Sequence, residues 1–204
     1  MPGDISSAAF FLVAASIAPG SDLRLVDVGM NPTRTGVVDI LRLMGADIVV
    51  QNERIEGGEP IADLRVRYAP LHGIDVPEAL VPLAIDEFPV LFVAAACAEG
   101  ITKVTGAAEL RVKESDRIQV MADGLHLLGI EAQATDDGMI IQGGKPFHGA
   151  SIQSHGDHRI AMSFAVAALR ASSPMTVLDA DNVATSFPGF VALSAQVGLG
   201  ITTS

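Results

Sequence analysis

Two short segments concentrate the charged side chains that could carry out chemistry in this 204-residue chain. The segment Glu109–Arg117 places three cations and three acids in nine residues, just after a predicted strand. The segment Ser154–Arg159 ends in Asp157, His158 and Arg159, directly before an apolar helical stretch. Helix amino termini favour negative charge, because their unpaired N–H groups and the helix dipole point at a ligand there. Both segments therefore indicate a possible site for an anionic ligand.

Local pattern alone leaves other interpretations open. Taken by itself, Glu109–Arg117 fits a solvated, ion-paired surface turn better than a ligand site. His155, Asp157 and His158 are suitable metal ligands, but the chain has no compact group of Cys or His to complete the set, so we expect no metal. Arg159 stands at a helix start, where the dipole disfavours a cation, and this favours a bound anion beside it.

A third candidate is the acid pair Asp86-Glu87, which lies between apolar runs just before another predicted helix. A helix cap explains this pair equally well. Asp4 occupies the corresponding place near the start of the chain, where capping suffices, and the segment 31–35 reads as a turn entering a helix. If the parts of the chain that carry the three candidates stack side by side, the acid pair and the two charged segments lie on one face.

The sequence contains a threefold repeat that would position these three candidates. Each repeat runs from an acid to a glycine, over 41, 43 and 41 residues. The acids are Asp4, Asp86 and Asp157, and the glycines are Gly45, Gly129 and Gly198. Within each repeat a nearly all-apolar helix, a short strand, an amphipathic helix and a further strand follow one another. We therefore predict an α/β fold with buried helices, as one domain over 1–204 with repeats at roughly 3–68, 85–150 and 156–203.

Two further elements are predicted between the repeats. The stretch ADLRVRYA alternates apolar and polar residues as a half-buried strand does. The stretch EAQATDDGMIIQGG reads as a hairpin whose turn is Asp137-Gly138.

Composition excludes several classes of protein. The net charge of −11 and the absence of a basic run argue against a nucleic-acid partner. No apolar stretch reaches the ~18 residues of a membrane span, and the start has no basic region ahead of its apolar run, so we expect neither a membrane protein nor a signal peptide. The single cysteine, Cys97, lies in an apolar run, which predicts a buried, inert thiol and a cytoplasmic location.

The sequence as a whole resembles the carboxy-terminal half of EPSP synthases. The resemblance rests on GDISSAAFFLVAA, VGMNPTRTG, IDEFPVLFVAAA, ELRVKESDRI, GDHRIAMSFAVAAL and ATSFPGF, in this order. It covers essentially the whole chain, and the IDEFP and ATSFP variants are most similar to the glyphosate-tolerant, class II branch. The resemblance implies the enolpyruvyl transferase fold, an inside-out α/β barrel whose domains contain three βαβαββ units.

The resemblance also implies a reaction and its residues. The family transfers the enolpyruvyl group of phosphoenolpyruvate to the 5-hydroxyl of shikimate 3-phosphate, a step towards chorismate and the aromatic amino acids, without metal or organic cofactor, and glyphosate inhibits it. Asp86 would hold the shikimate hydroxyls and act as base, and Glu114 would exchange a proton with the methylene carbon. Lys113 would contact shikimate 3-phosphate and share in proton transfer. The residues expected to bind phosphoenolpyruvate are Arg117 and Arg159, with His158 beside them.

Some family features are absent. Thr185 replaces a lysine that many members carry, and Glu109 replaces an asparagine that touches the shikimate. The amino-terminal segments that complete the family's site are not found, so we expect an isolated domain that needs a complementary half and is nearly inactive alone. Two alternatives are a non-catalytic binding half-domain and the sister activity on UDP-N-acetylglucosamine. The sister activity is disfavoured because its loop cysteine has no counterpart here.

Overall fold

The computed structural model describes residues 3–203, in which the predicted order of helix, strand, helix and strand recurs in the first two repeats, whereas no strand follows the amphipathic helix of the third within the described residues. The first unit contains α1 (Ile5–Ile17), β1 (Asp22–Gly29), α2 (Gly36–Leu43), β2 (Asp47–Glu56) and β3 (Glu59–Arg67). The second contains α3 (Phe88–Cys97), β4 (Gly100–Val104), α4 (Arg117–Leu127), β5 (Glu131–Thr135) and β6 (Gly138–Gly143). The third contains β7 (Ser151–Gln153), α5 (His158–Ala167), β8 (Thr176–Leu178), α6 (Asn182–Ser186) and α7 (Phe190–Gln196). The predicted α/β class with buried helices is confirmed.

Each unit contributes its own small sheet. The first two sheets are antiparallel and three-stranded, in the orders β1-β3-β2 and β4-β6-β5, so that the last strand of the unit lies in the middle. The third sheet pairs β7 with β8 in parallel. The predicted strand ADLRVRYA lies largely in β3, and the predicted hairpin is β5–β6. Its turn residues are Asp136 and Asp137 rather than Asp137-Gly138, because Thr135 already pairs with Gly138.

The three apolar helices α1, α3 and α5 form the centre of the core, where they contact one another. Both α1 and α3 are apolar on almost every face, so each can be surrounded by protein on all sides. Four aromatic rings pack together where the third unit meets α1. The ring centroids of Phe10 and Phe11 each lie 6.0 Å from that of Phe190, and the ring of Phe187 packs against Phe11 and Phe190. The core therefore fixes how the units sit relative to one another.

The amphipathic helices α2, α4 and α7 pack around these three helices, each with one apolar side in the core, and end as predicted. Gly45, Gly129 and Gly198 follow them with φ of 96°, 86° and 87°, a left-handed conformation that favours glycine at a helix end. Gly143 of β6 serves a different purpose, since a Cβ there would lie 2.2 Å from the carbonyl oxygen of Ala95. That close contact seats the second sheet against α3. None of the helices within residues 3–203 has the length and apolar character needed to cross a membrane.

Candidate active site

The amino termini of the three core helices lie on the same face of the molecule. Asp4 caps α1 by accepting from the Ser7 N–H at 3.0 Å. Asp157 caps α5 by accepting from the N–H of Arg159 at 2.9 Å. The Arg159 side chain then reaches the start of α3, where its Nη1 donates to the carbonyl oxygen of Asp86 at 3.0 Å. Three positive helix ends therefore face one region, an arrangement that favours anions.

Arg117, the first residue of α4, lies beneath this region with its side chain 1% exposed. Its Nε donates to Oδ2 of Asp157 at 2.8 Å, and its Nη2 approaches Oδ1 of the same carboxylate at 3.3 Å. Nη2 also donates to Glu114 at 2.6 Å, and Nη1 lies 3.5 Å from Asp86. One buried guanidinium therefore holds three carboxylates that come from different parts of the chain.

Asp157 is the buried partner in this cluster, with its side chain 0% exposed. Burial by itself would raise the pKa of Asp157, but the hydrogen bonds and charge of Arg117 and the Ser115 hydroxyl lower it. Ser115 donates to Oδ2 of Asp157 at 3.0 Å. Asp157 is therefore ionised and joins the start of α5 to the start of α4.

Asp86 and Lys113 line the more open part of the cluster. Lys113 Nζ lies 3.3 Å from Oδ1 of Asp86 and also contacts Glu109. Burial opposes ionisation of Asp86, but the charges of Arg159, Lys113 and Arg117 lower its pKa below the ordinary value. The contact with Glu109 is the main cause that raises the pKa of Lys113. Both side chains are therefore charged near neutral pH.

His158, the first residue of α5, is half-buried beside Arg159. Burial, followed by the positive charge of Arg159, lowers the pKa of His158. The imidazole is therefore neutral near pH 7 and can donate or accept a hydrogen bond.

The structure brings five of the six predicted site residues into one network of contacts, and His158 adjoins it in the chain. The five residues are Asp86, Lys113, Glu114, Arg117 and Arg159. Thr185 lies exposed on α6. Within residues 3–203 no group of His, Cys, Asp or Glu is arranged to hold a metal ion. The acids of the cluster are paired with cations instead, and such a site can bind anions and exchange protons.

Sequence reasoning gave no role to three residues at this face, Ser6, Arg34 and Glu87, although Glu87 belongs to the acid pair that it singled out. Glu87 is 5% exposed, and its Oε1 lies 3.7 Å from Nη1 of Arg159. Arg34 donates to the hydroxyl of Ser6 at 2.9 Å, so the segment 31–35 is more than a turn. The acid pair itself was the available signal for Glu87, whereas the partners of Arg34 depend on how the first unit packs.

Comparison with known proteins adds an independent result. The sequence profile of EPSP synthase (3-phosphoshikimate 1-carboxyvinyltransferase) matches residues 1–193. The chain is 69% identical over 202 residues to 3-phosphoshikimate 1-carboxyvinyltransferase of Alkalilimnicola ehrlichii, and the match covers 99% of this chain and 45% of that protein. It is 64% identical to the protein of the same name from Methylococcus capsulatus, covering 100% of this chain and 46% of the relative. The chain thus spans about half the length of the curated relatives it matches.

Solved structures give the same picture. EPSP synthase from Acinetobacter baumannii superposes with a TM-score of 0.98 at 60% identity, over 100% of this chain and 48% of that one. The enolpyruvyl transferase NikO from Streptomyces tendae superposes with a TM-score of 0.76 at 20% identity, over 97% of this chain and 43% of that one, which indicates a shared fold.

Proposed function

This chain belongs to the EPSP synthase family, and we propose that it forms one side of a site that transfers the enolpyruvyl group of phosphoenolpyruvate to the 5-hydroxyl of shikimate 3-phosphate. One observation carries the proposal. The acids and cations that this reaction requires meet at the amino termini of three buried helices. Because the chain spans about half the length of its relatives, turnover would need the part of the protein that it does not cover.

Arg159, Arg117 and Lys113 would bind the anionic groups of the two substrates. Arg159 is 15% exposed and Lys113 is 21% exposed, so both can reach a ligand at the surface of the cluster. Arg117 lies deeper, and its two terminal nitrogens face Asp86 and Glu114. A guanidinium suits the planar carboxylate and the phosphate of phosphoenolpyruvate because it can donate two parallel hydrogen bonds.

Asp86 and Glu114 would move the protons. Glu114 would give a proton to the methylene carbon of phosphoenolpyruvate while the 5-hydroxyl oxygen bonds to the neighbouring carbon and its proton passes to Asp86. The carbon–oxygen bond to phosphate then breaks, phosphate leaves with the electron pair and takes up the proton held by Asp86, and the methyl carbon returns a proton to Glu114. Lys113 contacts Asp86 and would share in the transfer. This chemistry uses the chain's own side chains and no organic cofactor.

Other features belong to the same proposal. Neutral His158 would lie beside the bound phosphoenolpyruvate as a hydrogen-bonding group. Glyphosate, an anion with a phosphonate and a carboxylate, would compete at Arg159 and Arg117. Thr185 offers no positive charge and Glu109 offers no amide N–H, so the phosphate and shikimate contacts would differ there from those of family members with lysine and asparagine. A cytoplasmic location is supported by the single cysteine, Cys97, because a chain with one cysteine cannot form a disulfide within itself.

Phosphate release tests the proposal directly. We would supply both substrates to the chain alone and to the chain combined with the part of a full-length relative that it does not cover. We expect turnover only in the combination, inhibition by glyphosate, and loss of turnover in Arg159→Ala. The matched control is Asp22→Asn, which breaks an exposed ion pair with Arg65 on the first sheet and should keep full activity. Binding of both substrates without turnover in any combination would contradict the catalytic proposal.

A further inference from the structure

Glu87 is a buried carboxylate to which the proposed chemistry gives no task. It directly follows Asp86, and the charge of Arg159 reaches both acids, yet the closest ion-pair partners of the two side chains differ. Asp86 contacts Lys113 and Arg117, whereas the Glu87 carboxylate lies 3.7 Å from the guanidinium of Arg159. The Glu87 residue is 5% exposed, so this charge interaction is shielded from water.

Arg159 needs support from outside its own helix. It is the second residue of α5, where the positive end of the helix dipole disfavours a cation. A guanidinium on a long side chain also loses conformational entropy when it is held in one orientation. The 157–159 segment supplies a backbone cap but no acid for the side chain, because the Asp157 carboxylate is taken by Arg117 and by backbone N–H groups. The groups that hold the guanidinium of Arg159 come from the 3-10 turn Ile85–Glu87.

That turn offers two acceptors to one guanidinium nitrogen. Nη1 of Arg159 donates to the carbonyl oxygen of Asp86 at 3.0 Å and lies 3.7 Å from Oε1 of Glu87. Nη1 is held from this side, and among residues 3–203 no hydrogen bond engages the other N–H groups of the guanidinium, which leaves them for a ligand. This is the arrangement that a preorganised anion site requires.

The first unit in turn supports Glu87. The pKa of Glu87 lies above its ordinary value, because burial outweighs the opposing influence of the nearby Ser6 hydroxyl and of the charges of Arg159 and Arg34. Ser6 is 2% exposed in the first turn of α1, and its hydroxyl also accepts from Arg34 at 2.9 Å. The start of α1 thus reaches Arg159 through Ser6 and Glu87.

We propose that Glu87 is a positioning residue that holds the guanidinium of Arg159 towards the anionic substrate. The inference rests on the proposed function only in naming phosphoenolpyruvate as the anion that Arg159 meets. It gives the two adjacent acids separate roles, with Asp86 at the reacting groups and Glu87 behind the cation. It also gives the first unit, through Ser6, a part in a site whose other residues come from the second and third units.

Arginine NMR tests the positioning without any ligand. In the chain labelled with ¹⁵N-arginine, the Nε–Hε signal of Arg159 is assigned by its loss in Arg159→Lys. We expect a distinct, slowly exchanging signal in the unaltered chain. In Glu87→Gln, which keeps the side-chain shape and removes the charge, the signal should move towards that of free arginine and exchange faster. Glu131→Gln removes an acid that is paired with exposed Lys145 and should leave the signal unchanged.

Substrate affinity tests the consequence. In the chain combined with the part that it does not cover, and with shikimate 3-phosphate saturating, Glu87→Gln should weaken phosphoenolpyruvate binding about tenfold, because it removes one charge interaction that is shielded from water. The KM for phosphoenolpyruvate should rise more than kcat falls, and Glu87→Asp should restore part of the affinity. Ser6→Ala should shift the Arg159 signal in the same direction but by a smaller amount, and it replaces Glu87→Gln as the test variant if Glu87→Gln does not fold.

The possible results separate the two proposals. An Arg159 signal unchanged by Glu87→Gln and by Ser6→Ala would overturn the positioning role, whatever the affinity. A freed Arg159 with unchanged phosphoenolpyruvate affinity would also overturn it. If the unaltered combination binds no phosphoenolpyruvate at all, the proposed function fails, and with it the identity of the ligand for which Arg159 is held.

Discussion

Replacing Asp157 by asparagine tests whether the buried charges of the site depend on one another. The side chains of Arg117 and Asp157 are 1% and 0% exposed, and contacts of 2.8 and 3.3 Å join them. Asparagine keeps an oxygen that can cap α5 but removes the negative charge. Removing one partner of a buried ion pair costs about 3–5 kcal/mol, because the other charge stays buried without compensation. Since Glu114 and Asp86 still contact Arg117, we expect about 3 kcal/mol.

Urea unfolding followed by circular dichroism measures this loss. With an m-value of about 2 kcal/mol/M, the midpoint for Asp157→Asn should fall by about 1.5 M. Asp22→Asn is the matched control, because it breaks a two-contact pair with Arg65 that is exposed to water. Water and salt screen such a pair, so the midpoint should hardly change.

A double variant gives the result that would refute this reasoning. Arg117→Met in the Asp157→Asn background removes the buried charge that has lost its main partner and should recover much of the lost stability. If the two losses simply add, or if Asp157→Asn shifts the midpoint no more than Asp22→Asn does, the buried pair does not support the fold in the way described.

Three further outcomes follow from the contacts and pKa shifts. Gly143→Ala should lower the free energy of unfolding by about 2 kcal/mol, because the new methyl group would overlap the Ala95 carbonyl, whereas Gly200→Ala has open space and should be neutral in the same urea assay. Cys97 is partly exposed rather than fully buried as predicted, but desolvation raises the pKa of its thiol to about 12, so it should react with a disulfide reagent at pH 8 far more slowly in the folded chain than in urea, and equal rates would contradict this. Burial lowers the pKa of His158 in the folded chain, so as the pH falls the imidazole is protonated in the unfolded chain first. The free energy of unfolding should therefore fall between pH 7 and pH 5, and it should fall by more in the unaltered chain than in His158→Gln. NMR titration of His158 should give a pKa below that of free histidine, and a higher value would show that the sign is wrong.

Local sequence signals account for most of the elements. The nearly all-apolar stretches predict the core helices, because a helix without a polar face must be surrounded by protein. The glycines that end α2, α4 and α7 were predicted from the repeat alone, and each has the left-handed conformation that a helix end favours. The hairpin β5–β6 was also predicted, but its turn was misplaced by one residue, since register depends on strand pairing that Asp137-Gly138 does not fix by itself.

The candidate site was foreseen only in part. The residue types and the resemblance identified Asp86, Lys113 and Arg159, and the structure places these three side chains in one cluster. The sequence did not indicate that Arg117 would be buried beneath them, nor that Asp157 would be its main partner. These two residues are 40 positions apart, and their contact exists only because α4 and α5 pack together.

The sequence by itself determined which kinds of side chain stand at the start of each core helix and the spacing at which they recur. It could do so because helix caps, apolar faces and turn residues depend only on residues a few positions away in the chain. Tertiary packing decided which helix starts lie together, which charged side chains are buried and which acid pairs with which cation. Asp86 and Glu87 show the difference most directly. They are adjacent carboxylates, and the local sequence gives no reason to assign them different roles. In the folded chain, Asp86 pairs with Lys113 and Arg117, and Glu87 pairs with Arg159. The physical reason is that burial and charge pairing depend on distances between residues far apart in the chain, and only the folded core fixes those distances.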